Sequence, residues 1–435
     1  MTSTTMEPNK ATIRSYQVGF GDCFLLTFHY PKAVNGSTER HVLIDCGSTA
    51  PPRTFKGKSF SLAPVAEHIK QTTGGKLHAV VATHRHKDHI SGFATAANGK
   101  GAGDILRTLK PDLVLQPWTE DPKLPTDATK PKAVNRGSAR FALGLQGKHQ
   151  FSASLLGELK ALEKTLSPAV IGQLSFLGED NIKNPSAVKN LMTMGKKNEY
   201  LHYGMKSGLE KLLPGVKVHV LGPPTIEQND EIKTQTSKDP DEFWHMRGLT
   251  AGAFGPGGTS PFAAKHKASG TLPPEVRWFV PRIQASRGAQ LLELVRILDN
   301  QMNNTSLILL FEYGGKRLLF PGDAQLENWN HALRDAKEAK ANMKLLAGTD
   351  LYKVGHHGSL NATPRTLWAL FNKKKKGNRK AQLQTLLSTR PGKHGSTASR
   401  TEVPRKTLLN ELETKSQLLN TDALKNGTEC HVVEL

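Results

Sequence analysis

The chain has 435 residues, with 59 Lys and Arg against 38 Asp and Glu for a formal net charge of +21. That length allows a large core or two domains, while a 37% hydrophobic fraction and a mean hydropathy of −0.44 leave much polar sequence outside any core. No apolar run approaches the roughly 20 residues that span a bilayer, and the amino terminus lacks an apolar signal core. Three cysteines, Cys23, Cys46 and Cys430, have neither the number nor the spacing of a disulfide framework, and Cys46 reads as a small buried side chain. A cytoplasmic protein without a membrane partner is expected. Charge in such excess over the needs of solubility creates a positive field, and nucleic acid is the polyanion that best answers it.

In chain order, Tyr16 to Leu26 reads as a strand, the Gly-rich turn Gly19-Phe20-Gly21-Asp22 and a second strand. His41 to Ile44 is a further strand running into Asp45-Cys46-Gly47-Ser48, and Leu62 to Gln71 is a helix. Leu77 to Ala82 is apolar and β-branched, the pattern of a buried strand, with Thr83 at its C-terminal end. His84-Arg85-His86-Lys87-Asp88-His89 therefore occupies the loop just beyond a strand. Imidazole and carboxylate suit zinc and similar divalent ions. His84 and His86, two apart, can face one cation, and Asp88 with His89 a second.

Between Gly92 and about Gly215 strand alternation is scarce while Phe151 to Leu166 and Asn190 to Lys196 look helical, so an α-rich cap is expected. Lys123 to Arg140 reads as a basic loop and Gly252 to Gly270 as a lid or linker. Phe243 to Arg247 and Trp278 to Arg282 set aromatics beside cations, a pairing that suits base stacking and also ordinary packing. His219, inside the strand Val218 to Leu221, reads as structural.

Arg317 to Phe320 is a strand leading to Asp323, and Leu351 to Val354 one leading to His356-His357-Gly358-Ser359. A helix over Thr363 to Asn372 precedes a basic loop, 372–380, that includes Lys373 and Lys374. Leu386 to Thr389 is a strand opening into a basic, Gly-rich segment where Arg390, Lys393 and His394 can approach a phosphate. Lys406 to Leu412 is a helix, and Cys430 to Glu434 a short strand in which His431 is structural. No internal repeat, heptad pattern or phosphate-binding Gly-Lys-Ser/Thr loop occurs.

The pattern His84-x-His86-x-Asp88-His89 at a strand end, with Asp45-Cys46-Gly47 upstream and Phe320-Pro321-Gly322-Asp323 and Gly355-His356-His357-Gly358-Ser359 downstream, resembles the metallo-β-lactamase superfamily. With Tyr16 to Leu26 and Asn304-Thr305-Ser306-Leu307, it is similar to the hydrolase domain of the bacterial competence DNA-uptake channel. The resemblance implies an α/β fold, a four-layer αββα sandwich. Because the matching segments lie at both ends of the chain, one domain over 1–435 is expected, with 93–215 and 225–300 inserted. The resemblance further implies that Asp45 supports the ligand loop, that Asp323 bridges two metals, and that His357, with His356 beside it, is the last ligand. Many superfamily members carry another His after a middle strand. Here that segment reads Val218-His219-Val220-Leu221-Gly222-Pro223-Pro224, which leaves the first metal to His84, His86 and the shared Asp323.

The implied function is that of a hydrolase with two divalent ions, zinc favoured and manganese compatible. Joined to the basic charge, it becomes a phosphodiesterase or nuclease acting on DNA or other nucleic acid. Asp88 orients the attacking water, Lys353, Arg390 or His394 assists the leaving oxygen, and Lys373, Lys374, Arg390 and Lys393 bind substrate. Two other classes stay open at this point: hydrolysis of a small ester, lactone or cyclic nucleotide by the same metals, and a nucleic-acid-binding scaffold with a degenerate metal site.

Overall fold

The computed structural model describes residues 6–121, 184–229, 231, 302–359, 363–377, 381–395, 402–425 and 427–435. The chain divides into two units: Met1–Pro122, Asn184–Ile232 and Asn303–Leu435 form one, and Lys123–Lys183 with Lys233–Met302 the other. Met302 apart, the described residues belong to the first. Lys123 to Arg140, Phe151 to Leu166, Phe243 to Arg247, Gly252 to Gly270, Trp278 to Arg282 and the end of the basic loop, Asn378 to Lys380, lie outside the described residues.

In the first unit β1 (Lys10–Tyr16), β2 (Cys23–Val34) and β3 (Ser37–Cys46) form an antiparallel meander, with Leu25 opposite Arg14 and Leu43. Strands β4 (Ala79–Val81), β5 (Leu113–Pro117) and β6 (Lys197–Leu201) extend it in parallel. A second sheet follows the same plan. Strands β7 (Lys217–Gly222), β8 (Ile308–Tyr313) and β9 (Lys316–Phe320) are antiparallel, and β10 (Leu351–Lys353), β11 (Gln384–Leu387) and β12 (Gln417–Asn420) continue in parallel. The final strand, β13 (Cys430–Glu434), returns to pair with β1.

Period-two alternation divides each strand between two cores. Phe24, Leu26 and Phe28 of β2 face the second sheet, where Phe24 meets Phe320 edge-on at 5.7 Å and Phe28 meets Tyr313 at 5.5 Å. Leu25, Leu43 and Val80 face outward, against Ala66 and Ile69 of the helix Ala63–Thr72 and Leu106 of the helix Ala102–Thr108. On the far side, Leu310, Leu319 and Tyr352 pack against Leu346, Leu367 and Leu412 of three further helices. Helices thus cover both outer faces of a stacked pair of sheets, the αββα order expected from the sequence.

Residues 93–122 and 184–215 supply β5 and β6 to the first sheet, so the sandwich reaches into both ends of the expected 93–215 insertion. β6, Lys197-Asn198-Glu199-Tyr200-Leu201, is an edge strand, and edge strands tolerate polar sequence that hides them from a search for apolar alternation. The nearby helix covers Pro185–Thr193, ahead of the expected Asn190 to Lys196. Its start is set by Asn184, whose side chain accepts from the Ala187 amide, and by Pro185 in the first turn.

The basic loop also lies elsewhere than expected. The helix Arg365–Leu370 is the crossover between parallel strands β10 and β11, so the segment after it returns to the edge where those strands begin. There the Lys373 ammonium pairs with Asp350, the residue before β10, at 2.7 Å, and Lys374 bonds the Trp368 carbonyl and lies over its ring. Lys373 and Lys374, expected at the substrate, therefore sit at the edge opposite to Asp323 and His357.

Where β3 joins β4, the His41 amide donates to His78 Nδ1 at 3.0 Å, which requires that nitrogen to be unprotonated. Burial pushes His41 down to about 4 and His78 to about 3, with neighbouring cations acting in the same direction. Both bind protons more readily in the unfolded chain, whose His pKa is near 6.5. Their contribution to stability is therefore complete above about pH 6.5 and is lost as pH falls toward 4. Denaturant unfolding of His78→Gln, which keeps an acceptor for the His41 amide, should show a smaller loss of stability between pH 7 and pH 4 than the natural chain. An identical pH slope in both proteins refutes this account.

Candidate metal centre

Asp45 ends β3 in a left-handed conformation, φ 54°, which Asp tolerates better than most residues. Gly47 then allows close packing on the ligand loop, since a Cβ there would lie 2.4 Å from the backbone of Asp88. Asp45 Oδ1 accepts from the Thr83 amide at 2.7 Å, and Oδ2 accepts from the Thr83 hydroxyl at 2.7 Å and from His89 Nδ1 at 2.8 Å. An ionised carboxylate only accepts, so His89 carries its proton on Nδ1 and presents a lone pair at Nε2. The Thr83 hydrogen is committed to Asp45, so the 3.2 Å contact between Thr83 Oγ1 and His84 Nδ1 is donated by His84. His84 Nε2 is then also a lone pair, facing His86 Nδ1 at 3.0 Å. Burial, with His89 and His86 adding to it, holds the His84 imidazole well below the usual range and neutral.

The second sheet contributes from equivalent strand ends. Asp323 follows β9 through Gly322, where φ is 54° and a Cβ would meet Thr83 at 2.8 Å. His356 and His357 are both left-handed, at φ 41° and 50°, a costly pair for residues other than glycine. That turn brings the His356 amide to Asp323 Oδ1 at 3.0 Å and the His357 ring inward. His357 Nδ1 donates to the Ser388 carbonyl at 2.9 Å, and Nε2, on the other side of the ring, hydrogen-bonds Asp88 Oδ2 at 2.8 Å.

Asp88, His89, Asp323 and His357, all buried, each place a donor atom within 4.8 Å of the others. His89 Nε2 lies 3.0 Å from Asp323 Oδ2, yet Asp88 Oδ1, His89 Nε2 and Asp323 Oδ2 form no hydrogen bond. Buried lone pairs that face carboxylates need a cation or a proton between them. Burial opposes a charge on His89, but Asp323, Asp88 and Asp45 overcome it and hold the imidazole well above its usual range. His357 is raised in the same way, against burial, by Asp22, Asp323 and Asp88. Orphaned oxygen and imidazole donors in this arrangement fit a divalent ion of the zinc or manganese type.

Four of the six expected ligands thus converge, and His84 adjoins them, its ring 4.1 Å from that of His89 and 4.7 Å from that of His86. The His356 ring turns to Ser359 Oγ at 2.8 Å and lies 6.3 Å from the His357 ring, while its amide meets Asp323 Oδ1. His394 lies against Phe20 at 4.8 Å, and Phe20 in turn against His357 at 4.3 Å. Arg390 and Lys393 follow β11 on this same ligand edge. Lys353, expected near a leaving oxygen, is instead 2% exposed and pairs with Asp22 and Asp323, because alternation along β10 turns it inward. Asp22 escaped sequence analysis. It is fully buried, 3.7 Å from Nδ1 of both His89 and His357, and its signal was a carboxylate set between Gly21 and an apolar strand.

No helix among the described residues is long and apolar enough to cross a membrane. No curated protein matches the chain. Residues 18–152 match the model of the metallo-beta-lactamase superfamily, a span that includes β2 to β5 and the loop His84 to His89. Together with the stacked sheets and the buried His/Asp cluster at their strand ends, this match establishes that the chain carries a metallo-beta-lactamase superfamily domain, the scaffold of a metal-dependent hydrolase.

Proposed function

We propose that this domain is a metal-dependent phosphodiesterase acting on nucleic acid. The carrying observation is the buried cluster Asp88, His89, Asp323 and His357 on the edge that also bears Arg390 and Lys393, in a chain of net charge +21. Those four residues would hold one divalent ion, and His84 and His86 with Asp323 a second, zinc or manganese in both. When bound, such ions supply Lewis acidity, acidifying water and offsetting charge on phosphoryl oxygens.

The chain's own groups do the positioning. His89 and His357 overcome the burial of Asp88 and hold its carboxyl far below the usual range. Ionised at any working pH, Asp88 accepts a water hydrogen on Oδ1 and aims the oxygen, while remaining too weak a base to keep the proton. Burial keeps His394 neutral, its pKa well below the ordinary value, so it donates a hydrogen bond to a substrate oxygen as an uncharged imidazole. Arg390 and Lys393 supply fixed positive charge to a phosphate. A phosphodiester polyanion makes use of all three.

Asp45→Asn should reduce zinc or manganese affinity by about 10- to 100-fold, because an amide has one accepting oxygen where the carboxylate uses two, so its NH2 must face either the Thr83 amide or the Thr83 hydroxyl and His89. Equilibrium dialysis followed by elemental analysis measures it, and unaltered affinity contradicts the assigned tautomers. Asp88→Asn should abolish metal-dependent cleavage of single- and double-stranded DNA while DNA binding persists; continued cleavage refutes the proposal. Arg390→Ala and Lys393→Ala should each lower the slope of log affinity against log salt by about 1, whereas Lys373→Ala and Lys374→Ala, on the opposite edge, should leave it unchanged. Filter-binding titrations across a salt series separate the two pairs.

A further inference from the structure

Lys353 is 2% exposed, on the short strand Leu351-Tyr352-Lys353. Its ammonium forms an ion pair with Asp22 and donates to Asp323 Oδ1 at 3.2 Å and to the Gly322 carbonyl at 3.0 Å. Asp22 is fully buried too, and the imidazole N–H groups 3.7 Å from it are committed elsewhere, that of His89 to Asp45 and that of His357 to the Ser388 carbonyl. The lysine is therefore what balances Asp22. On Asp323, Lys353 and the His356 amide together occupy Oδ1, so only Oδ2 points at His89 and His357.

We infer that Lys353 is a resident cation, a positioning residue that neutralises Asp22, caps Oδ1 of Asp323 and leaves Asp323 to meet a metal through Oδ2 alone. Asp22, Asp45 and His89 also lie close enough to one another to hold an ion. The ammonium already supplies the positive charge that this group requires, and no metal enters there. The inference rests on the metal-centre reading above. Loss of the lysine's charge distinguishes this role from one of packing alone. A buried carboxylate deprived of its partner is strongly destabilising, whereas a site neutral on both sides is tolerated. A cation supplied from solution can replace the lost charge, and it cannot replace lost packing.

The test uses the full-length chain as Lys353→Met, which keeps length and apolar volume, and as the double variant Asp22→Asn/Lys353→Met. Each is melted in chelator and in saturating zinc or manganese, and bound metal per chain is measured by elemental analysis. In chelator, Lys353→Met should melt about 10 °C below the natural protein. Metal should raise its melting temperature by more than it raises that of the natural protein, with additional metal bound per chain. Adding Asp22→Asn should recover most of the loss seen in chelator. Equal losses with and without metal, together with no recovery in the double variant, overturn the inference. Should Lys353→Met fail to fold, a folded double variant supports the inference, and failure of both overturns it. A natural protein that binds no metal refutes the metal-centre reading, while recovery in chelator still decides whether Lys353 answers Asp22.

Discussion

The carboxylate of Asp45 is the group on which the ordering of the centre depends. It touches none of the atoms that would meet substrate, yet through Thr83 and His89 it decides which nitrogen of two imidazoles carries a proton. Burial pushes its carboxyl up, and the hydrogen bonds it receives from His89 and Thr83 oppose that rise. The fold meets this demand by ending β3 in a left-handed turn, followed by a glycine that lets the ligand loop close over it. The same oxygen atoms hold Thr83, just beyond β4, whose carbonyl accepts from the Leu307 amide, just ahead of β8, at 2.9 Å and so joins the first sheet to the second.

Much of this was legible in the sequence because buried parallel strands leave a strong apolar signature and end abruptly. Leu77 to Ala82, Arg317 to Phe320 and Leu351 to Val354 announced both the strands and the ligands beyond them. Less was legible where residues act through side chains that the pattern does not mark. Asp22 looked like a turn residue and Lys353 like a cation for substrate; only the stacking of two sheets shows them facing each other. β6 was hidden by its polar edge sequence, and the basic loop was misplaced because proximity in sequence to His357 is not proximity in space. A crossover helix carries the chain to the other end of the strand.

The two sheets share a plan that no sequence repeat reveals. Each has a meander of three antiparallel strands continued by three parallel ones, the first sheet adding β13 beside β1, and in each a carboxylate stands at the end of the meander's last strand or just beyond it. Asp45 at the end of β3 corresponds to Asp323 after β9, and the loop His84 to His89 after β4 to His356-His357 after β10. What repeats is hydrogen-bonding order and the face each strand buries, properties that many sequences satisfy. The candidate ligands collect at the strand C-termini, the edge at which open α/β sheets place their binding crevices.

The ion pairs at the far edge of the sheets bear on how the chain would be perceived at a distance. Lys373 is held by Asp350, Lys76 and Lys196 by Asp112, Lys10 by Glu434, and Arg317 by Glu312. Each such pair is a short dipole whose field decays within a few ångströms, well inside the roughly 8 Å over which physiological salt screens charge. Formal charge belongs to composition and potential to placement. A diffusing polyanion would therefore respond less to the total of +21 than to where the cations lie, which makes its approach directional.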